Sequence, residues 1–359
     1  MLEARIAPTP KDAVHRDGKA TLYRFRRRTA ATAPHGGSSG ATAQDHGLTG
    51  PWSGGRASTH APVLLVPSMI NRWYVLDLRE GASVAAALST DAPWDTFVLD
   101  WGIPEDEDRF TTWDDVVRRL ERTVRRVHRV TGARKISIVG YCMGATLSAI
   151  FTALHPDKVA ALVNLAGPVD FAHAGRLGQM VDPRWFDAEA ITRAGNLGAM
   201  QMQSGFLALN PTGSISKWVG LAEKINDPKA REAFGALETW ASDNIPFPAA
   251  AYVTYIKELY QENRLIRGEH WVHGKRVDLS RITCPVLSVV AEKDAICPPP
   301  AAIALNRAVS SQVRDVLSVP GGHVGAVVGS RAARELYPKM FDWLKRHGER
   351  PARQPESRL

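Results

Sequence analysis

Cysteine is scarce in this sequence: Cys142, Cys284 and Cys297 are the full set among 359 residues. An odd count without metal-ligand spacing argues against a disulfide framework and against a cysteine-based metal centre, and fits a reducing compartment. No apolar run approaches the ~18 residues that a membrane span needs. The opening stretch, MLEARIAPTPKDAVHRDG, has neither a hydrophobic core nor a small-residue cleavage site. The expectation is a cytoplasmic protein without a transmembrane segment. Acidic residues are also in deficit, 37 against 45 Lys and Arg, for a net charge of +8. Much of that excess falls on one amphipathic segment, Thr112 to Thr131. There Trp113, Val116, Val117, Leu120, Val124 and Val127 recur at helical spacing, and Arg118, Arg119, Arg122, Arg125, Arg126 and Arg129 occupy the other faces. Asp114 and Asp115 suit its first turn and Gly132 its end. With no nucleic-acid motif beside it, the segment reads as a packed helix with a solvated basic face, and no nucleic-acid partner is expected.

Short β-branched or aliphatic runs recur along the chain. They lie at Ala20 to Phe25, Pro62 to Val66, Thr96 to Trp101, Lys135 to Val139, Val159 to Leu165, Pro285 to Val290 and Val313 to Val319. Helical patterns alternate with them, the last near Ala332 to Lys345. That alternation predicts an α/β fold with a mostly parallel sheet covered on both faces. Ala30 to Ala61 is rich in Ala, Gly, Ser, Thr, His and Pro and reads as a loop. The stretch from Pro168 to Ile282, carrying Trp185, Trp218 and Trp240, is too long for a crossover and predicts an inserted helical cap. Four regions result: residues 1–61 as N-terminal strand and loop, 62–167 and 283–359 as the two parts of the core, and 168–282 as the cap.

The chemistry is concentrated in Ile136-Ser137-Ile138-Val139-Gly140-Tyr141-Cys142-Met143-Gly144-Ala145, a strand entering a G-x-C-x-G turn and then a helix. This is the nucleophile-elbow pattern of α/β-hydrolase folds, with cysteine in the serine position. The turn strains the backbone at the nucleophile, and the glycines remove side chains that would collide with neighbouring elements. A residue at the mouth of a helix faces the positive end of its dipole, which favours negative charge on sulfur. Cys284 reads as a core thiol, and Cys297 has no assigned chemistry. Chain order in such folds puts an acid after a late strand and a histidine after the last one. Asp294 and His323 meet both conditions, with Glu292 as a competing acid. The oxyanion hole is expected from the backbone N–H of Met143 and, from the loop Pro67 to Asn71, that of Met69.

Several stretches together resemble the poly(3-hydroxyalkanoate) synthases. They are Leu64 to Leu78, Asp100-Trp101-Gly102, Gly140 to Gly144, Tyr260-Gln261-Glu262-Asn263-Arg264-Leu265, Ala291-Glu292-Lys293-Asp294 and Gly322-His323-Val324-Gly325. In length the chain is similar to the short form that works with a second, non-homologous subunit. The resemblance implies a cysteine acylated by 3-hydroxyacyl-CoA as substrate, release of CoA, and repeated transfer onto a growing polyester at a granule surface. It implies no further cofactor, and a homo-oligomer is expected. It also implies that Asp294 chiefly helps to activate the substrate 3-hydroxyl, whereas in a hydrolytic triad the acid orients the histidine. The sequence leaves both roles open. Ala145 stands where glycine is usual and Ala295 where histidine is frequent, but no catalytic position is lost. A depolymerase or thioesterase with the same triad, and a granule-associated binding protein, remain the alternatives.

Overall fold

The computed structural model describes residues 5–26, 60–89, 94–209, 213–329 and 331–348. The loop reading for Ala30 to Ala61 therefore lies outside the described residues, except for its last two. Among the described residues eight strands form one sheet: β1 Lys11–Asp17, β2 Ala20–Phe25, β3 Val63–Val66, β4 Thr96–Asp100, β5 Ile136–Tyr141, β6 Val159–Leu165, β7 Val286–Ala291 and β8 Arg314–Val319. Their spatial order is β1-β2-β4-β3-β5-β6-β7-β8. β1 and β2 pair antiparallel, β2 joins β4 antiparallel, and every later pairing is parallel. The central strands β3, β5 and β7 are buried along their whole length because both faces are covered. Leu64 and Val66 of β3 point into one core cluster, Val63 and Leu65 into the other.

Helix α1, Trp113–Thr131, packs on the first face. It starts with a capping box between Thr112 and Asp115 and stops at Gly132, which takes φ 64°. Its apolar stripe is buried as the periodicity predicts. The basic face is only partly solvated, however. Arg122 Nε donates to Asp17 at 2.6 Å, and Arg126 reaches the Val14 carbonyl at 3.1 Å. These arginines hold β1, a strand too polar for its sequence, KDAVHRD, to announce it. Helix α2, Met143–Leu154, follows β5 and is buried at every position.

Between β6 and β7 the chain forms α3 Ala199–Leu209, α4 Pro228–Ser242 and α5 Ala249–Thr254, which runs on into a π-helix, Tyr255–Gln261. The end of α4 is tied to the loop after β3. Trp240 Nε1 donates to the Arg72 carbonyl at 2.9 Å, and the Tyr74 hydroxyl donates to Asp243 at 2.6 Å. Trp185 and Trp218, by contrast, are exposed. The chain then completes the sheet, with α6 Pro299–Ala308 between β7 and β8 and α7 Tyr337–His347 on the second face. The terminal helix is interrupted where the sequence predicts continuity: Ala332–Glu335 is a separate turn, and α7 restarts with Pro338 in its first turn. No helix among the described residues is long and apolar enough to cross a membrane.

Candidate active site

Cys142 sits between β5 and α2 with φ 55° and ψ −130°, a conformation that L-residues rarely adopt. Its N–H donates to the Leu165 carbonyl of β6 at 2.9 Å, and its own carbonyl accepts from Ala145 N–H at 2.9 Å. The flanking glycines are steric necessities. A Cβ on Gly140 would lie 2.4 Å from the Ala145 Cα, and one on Gly144 would lie 2.1 Å from the Val66 carbonyl oxygen. The methyl of Ala145 is accommodated because Gly167 opposite has no side chain; a Cβ there would come within 2.3 Å of it.

Asp294 and His323 are brought together by the loops leaving β7 and β8. Glu292 N–H donates to Val319 and Lys293 N–H to Gly321, at 3.0 and 2.9 Å. Gly321, at φ 112°, turns the second loop back. His323 Nδ1 then lies 2.7 Å from Asp294 Oδ2. The other carboxylate oxygen accepts from Ile296 and Cys297 N–H, each at 2.8 Å. Both side chains are buried. Glu292 is exposed, and its carboxylate is 3.5 Å from the Ser318 hydroxyl, away from the histidine. Ala295 is exposed as well.

The remaining imidazole nitrogen, Nε2, is buried with no hydrogen-bond partner of ordinary geometry. Burial disfavours the imidazolium, but the adjacent Cys142 and the bond to Asp294 outweigh it and raise His323 to about 10. The ring of Tyr141 backs the imidazole, with centroids 5.2 Å apart. The other two thiols are shielded. Burial pushes Cys284 up to about 12 and raises Cys297 above its ordinary value, the latter packed with Val290, Ala301 and Ala302.

Met143 is the first residue of α2, so its N–H has no carbonyl one turn back within the helix. The loop carrying Met69 is fixed by Trp101 Nε1, which donates to the Pro67 carbonyl at 2.9 Å. The Met69 side chain borders a small crevice with Trp101 and Pro248, while its neighbour Ile70 borders the cavity that contains Cys142. That cavity measures about 330 Å³. Its walls are mostly apolar and come largely from the segment between β6 and β7, including Leu177, Phe186, Met202, Phe206 and Phe247. Tyr252, Tyr255 and Tyr260 also line it. The sequence reading did not single these tyrosines out, although Tyr260 opens the YQENRL stretch.

The described geometry brings a cysteine, a histidine and a carboxylate together at one edge of a mostly parallel sheet. The family described as having the alpha/beta hydrolase fold matches residues 61–330. A poly(3-hydroxyalkanoate) polymerase subunit from Allochromatium vinosum is 32% identical over 94% of this chain and 88% of its own length. The chain belongs to the poly(3-hydroxyalkanoate) polymerase family. A second family member, from Haloferax mediterranei, is 31% identical over 97% of this chain, which spans only 66% of that relative's length. Among solved structures, a provisionally named lipase from Sulfolobus solfataricus superposes with a TM-score of 0.53, over 94% of this chain and 99% of its own, at 13% identity. That likeness bears on the fold alone. Cys142, Asp294 and His323 follow β5, β7 and β8, of which β7 and β8 are adjacent and β6 separates β5 from β7, and all three residues lie beyond the strands' C-terminal ends.

Proposed function

We propose that the chain polymerises 3-hydroxyacyl-CoA by acyl transfer through a Cys142 thioester. The observation that carries this reading is the cysteine in a strained elbow, beside a buried His323–Asp294 pair, opening on an apolar cavity. In the first step the Cys142 sulfur bonds to the thioester carbonyl carbon as the carbon–sulfur bond to CoA breaks. The Cys142 proton passes to His323 Nε2 and then to the departing CoA sulfur. The oxyanion is held by the Met143 N–H and by an N–H of the loop after β3, for which Met69 is the residue assigned. In the next step the 3-hydroxyl of an incoming 3-hydroxyacyl-CoA attacks the Cys142 thioester carbonyl. The ester bond forms as the carbon–sulfur bond to Cys142 breaks, and the hydroxyl proton passes through His323 to the Cys142 sulfur. Cys142 then takes the extended chain back from its CoA thioester with release of CoA. Apolar walls disfavour water as the competing acceptor, which separates polymerisation from hydrolysis.

On this reading the segment from Pro168 to Ile282 is a cap over the nucleophile, since its helices supply most of the cavity wall. The partners are 3-hydroxyacyl-CoA, the growing polyester with its granule surface, a second synthase subunit and further copies of the chain. The location is the cytoplasm, at granules. Purified protein supplied with 3-hydroxybutyryl-CoA is expected to release CoA and to form insoluble polymer, with an acyl adduct on Cys142 visible by intact mass. CoA release with free 3-hydroxybutyrate and no polymer would identify a thioesterase instead.

A further inference from the structure

The cavity around Cys142 has few residues with polar side chains in its lining: Gln201, Tyr252, Tyr255 and Tyr260. Two of these are placed by an unusual piece of backbone. Tyr255–Gln261 is a π-helix, whose last bond runs from Glu262 N–H to the Lys257 carbonyl at 2.9 Å. In an α-helix residues five apart project about 140° from one another. The wider π turn brings Tyr255 and Tyr260 to the same side, with ring centroids 5.3 Å apart at 75° and hydroxyls within reach of each other.

Both rings are braced from behind. Tyr255 stacks on Trp113 of α1, centroids 5.4 Å apart at 25°. Trp113 Nε1 donates to His270 Nε2 at 3.1 Å, and an indole can only donate, so the His270 proton is on Nδ1. That nitrogen donates to Glu258 at 2.8 Å, and Glu258 belongs to the same π-helix. Tyr260 lies edge-on to Phe171 at 4.7 Å, and Phe171 N–H donates to Asn263 at 2.8 Å. The fold thus fixes the rings through their faces and edges, with the two hydroxyls bonded to each other and both residues lining the cavity. Burial, foremost, and charge on the nearby Cys142 raise both phenols, so they stay protonated and able to donate.

An acyl group on Cys142 has its carbonyl at the oxyanion donors. The next polar group along a 3-hydroxyacyl chain is the hydroxyl, two carbons further on. A hydroxyl buried in an apolar cavity needs a partner. We propose that the Tyr255–Tyr260 hydroxyl pair binds the 3-hydroxyl of the acyl chain and makes the enzyme selective for 3-hydroxyacyl over unsubstituted acyl thioesters. This rests on the acyl-transfer reading above and names the group that sets its substrate class. Sites that hydrogen-bond a substrate hydroxyl discriminate strongly against analogues lacking it, because their own polar groups are then left unpaired.

The test is single-turnover CoA release from 3-hydroxybutyryl-CoA and from butyryl-CoA, with the Cys142 adduct quantified by intact mass. It compares wild type, Tyr255→Phe, Tyr260→Phe and the double variant, which preserve ring packing. Wild type is expected to favour the hydroxylated substrate, and the double variant to reduce that preference by roughly ten- to hundredfold. A ratio unchanged by the double substitution, or no preference in wild type, overturns the proposal. Failure of wild type to acylate Cys142 with either substrate is a different result, which removes the acyl-transfer reading and this proposal together.

Discussion

Replacing Asp294 by Asn is expected to cripple acylation of Cys142 itself, not chain growth alone. The carboxylate has no exposed side-chain surface, one oxygen held by two backbone N–H groups at 2.8 Å and the other on His323 Nδ1 at 2.7 Å. In this geometry it has no free path to a substrate hydroxyl and acts through the imidazole. An asparagine oxygen can keep the two backbone bonds, which turns its amide N–H₂ towards His323. Nδ1 must then accept, the ring proton moves to Nε2, and Nε2 can no longer take the Cys142 proton. The same exchange in a serine-protease triad lowers turnover by about 10⁴. With a more acidic thiol as nucleophile, a loss of roughly 10³ to 10⁴ is expected, about 4–5.5 kcal/mol of transition-state stabilisation. Single-turnover CoA release from 3-hydroxybutyryl-CoA, measured beside polymer formation, is the assay, and both should fall in proportion. CoA release within tenfold of wild type, with polymer absent, would refute this reasoning and assign Asp294 to activation of the 3-hydroxyl, the role that the family resemblance implies.

Three further outcomes are expected. Iodoacetamide on the native protein should add one equivalent, at Cys142, because Cys284 and Cys297 are buried and their thiols are raised; three equivalents before unfolding would contradict the burial. In Cys142→Ala, His323 loses its largest upward influence while burial remains, so its midpoint by NMR titration should move down from about 10. With a folded value above the ordinary ~6.5, wild-type His323 contributes stability fully present below that pH and lost as pH rises through about 10. The fall in chemical-denaturation stability across that window should shrink in the variant, and an equal fall in both proteins would count against the coupling. Gly144→Ala should destabilise by about 3 kcal/mol or more, since its Cβ would meet the backbone of Val66 and Pro67. A melting temperature equal to wild type would show that the elbow is looser than described.

The sequence is informative where local chemistry and fold agree. The G-x-C-x-G turn announces itself because glycine is the only residue that clears Ala145 on one side and Val66 on the other. The order of acid and base follows from the strand pattern, and Asp294 rather than Glu292 meets His323. β1 is not legible from its own pattern, because KDAVHRD has no apolar alternation and the strand is held by pairing with β2 and by Arg122 and Arg126, more than a hundred positions away along the chain. The π-helix is also silent: Tyr255–Gln261 contains no glycine or proline, and the widened turn appears only once Trp113, His270 and Phe171 are packed around it. Which residue of the loop after β3 borders the cavity is a matter of one position in a tight turn, and Ile70, next to Met69, borders it. Periodicity has no purchase on such a choice.

A chamber of about 330 Å³ is finite, whereas on the proposed function a polyester bound by its reactive end to Cys142 would grow without a set limit. On that proposal the finished part of the chain would have to leave while its newest unit stays inside. An ordinary lid opens and shuts once per turnover, but a lid through which a product remains threaded cannot shut fully until the strand is released. The wall contributed by Leu177, Met202 and Phe206 would then open once per polymer molecule, at its initiation. Delay before steady growth would belong to that wall, and the speed of growth to Cys142 and His323.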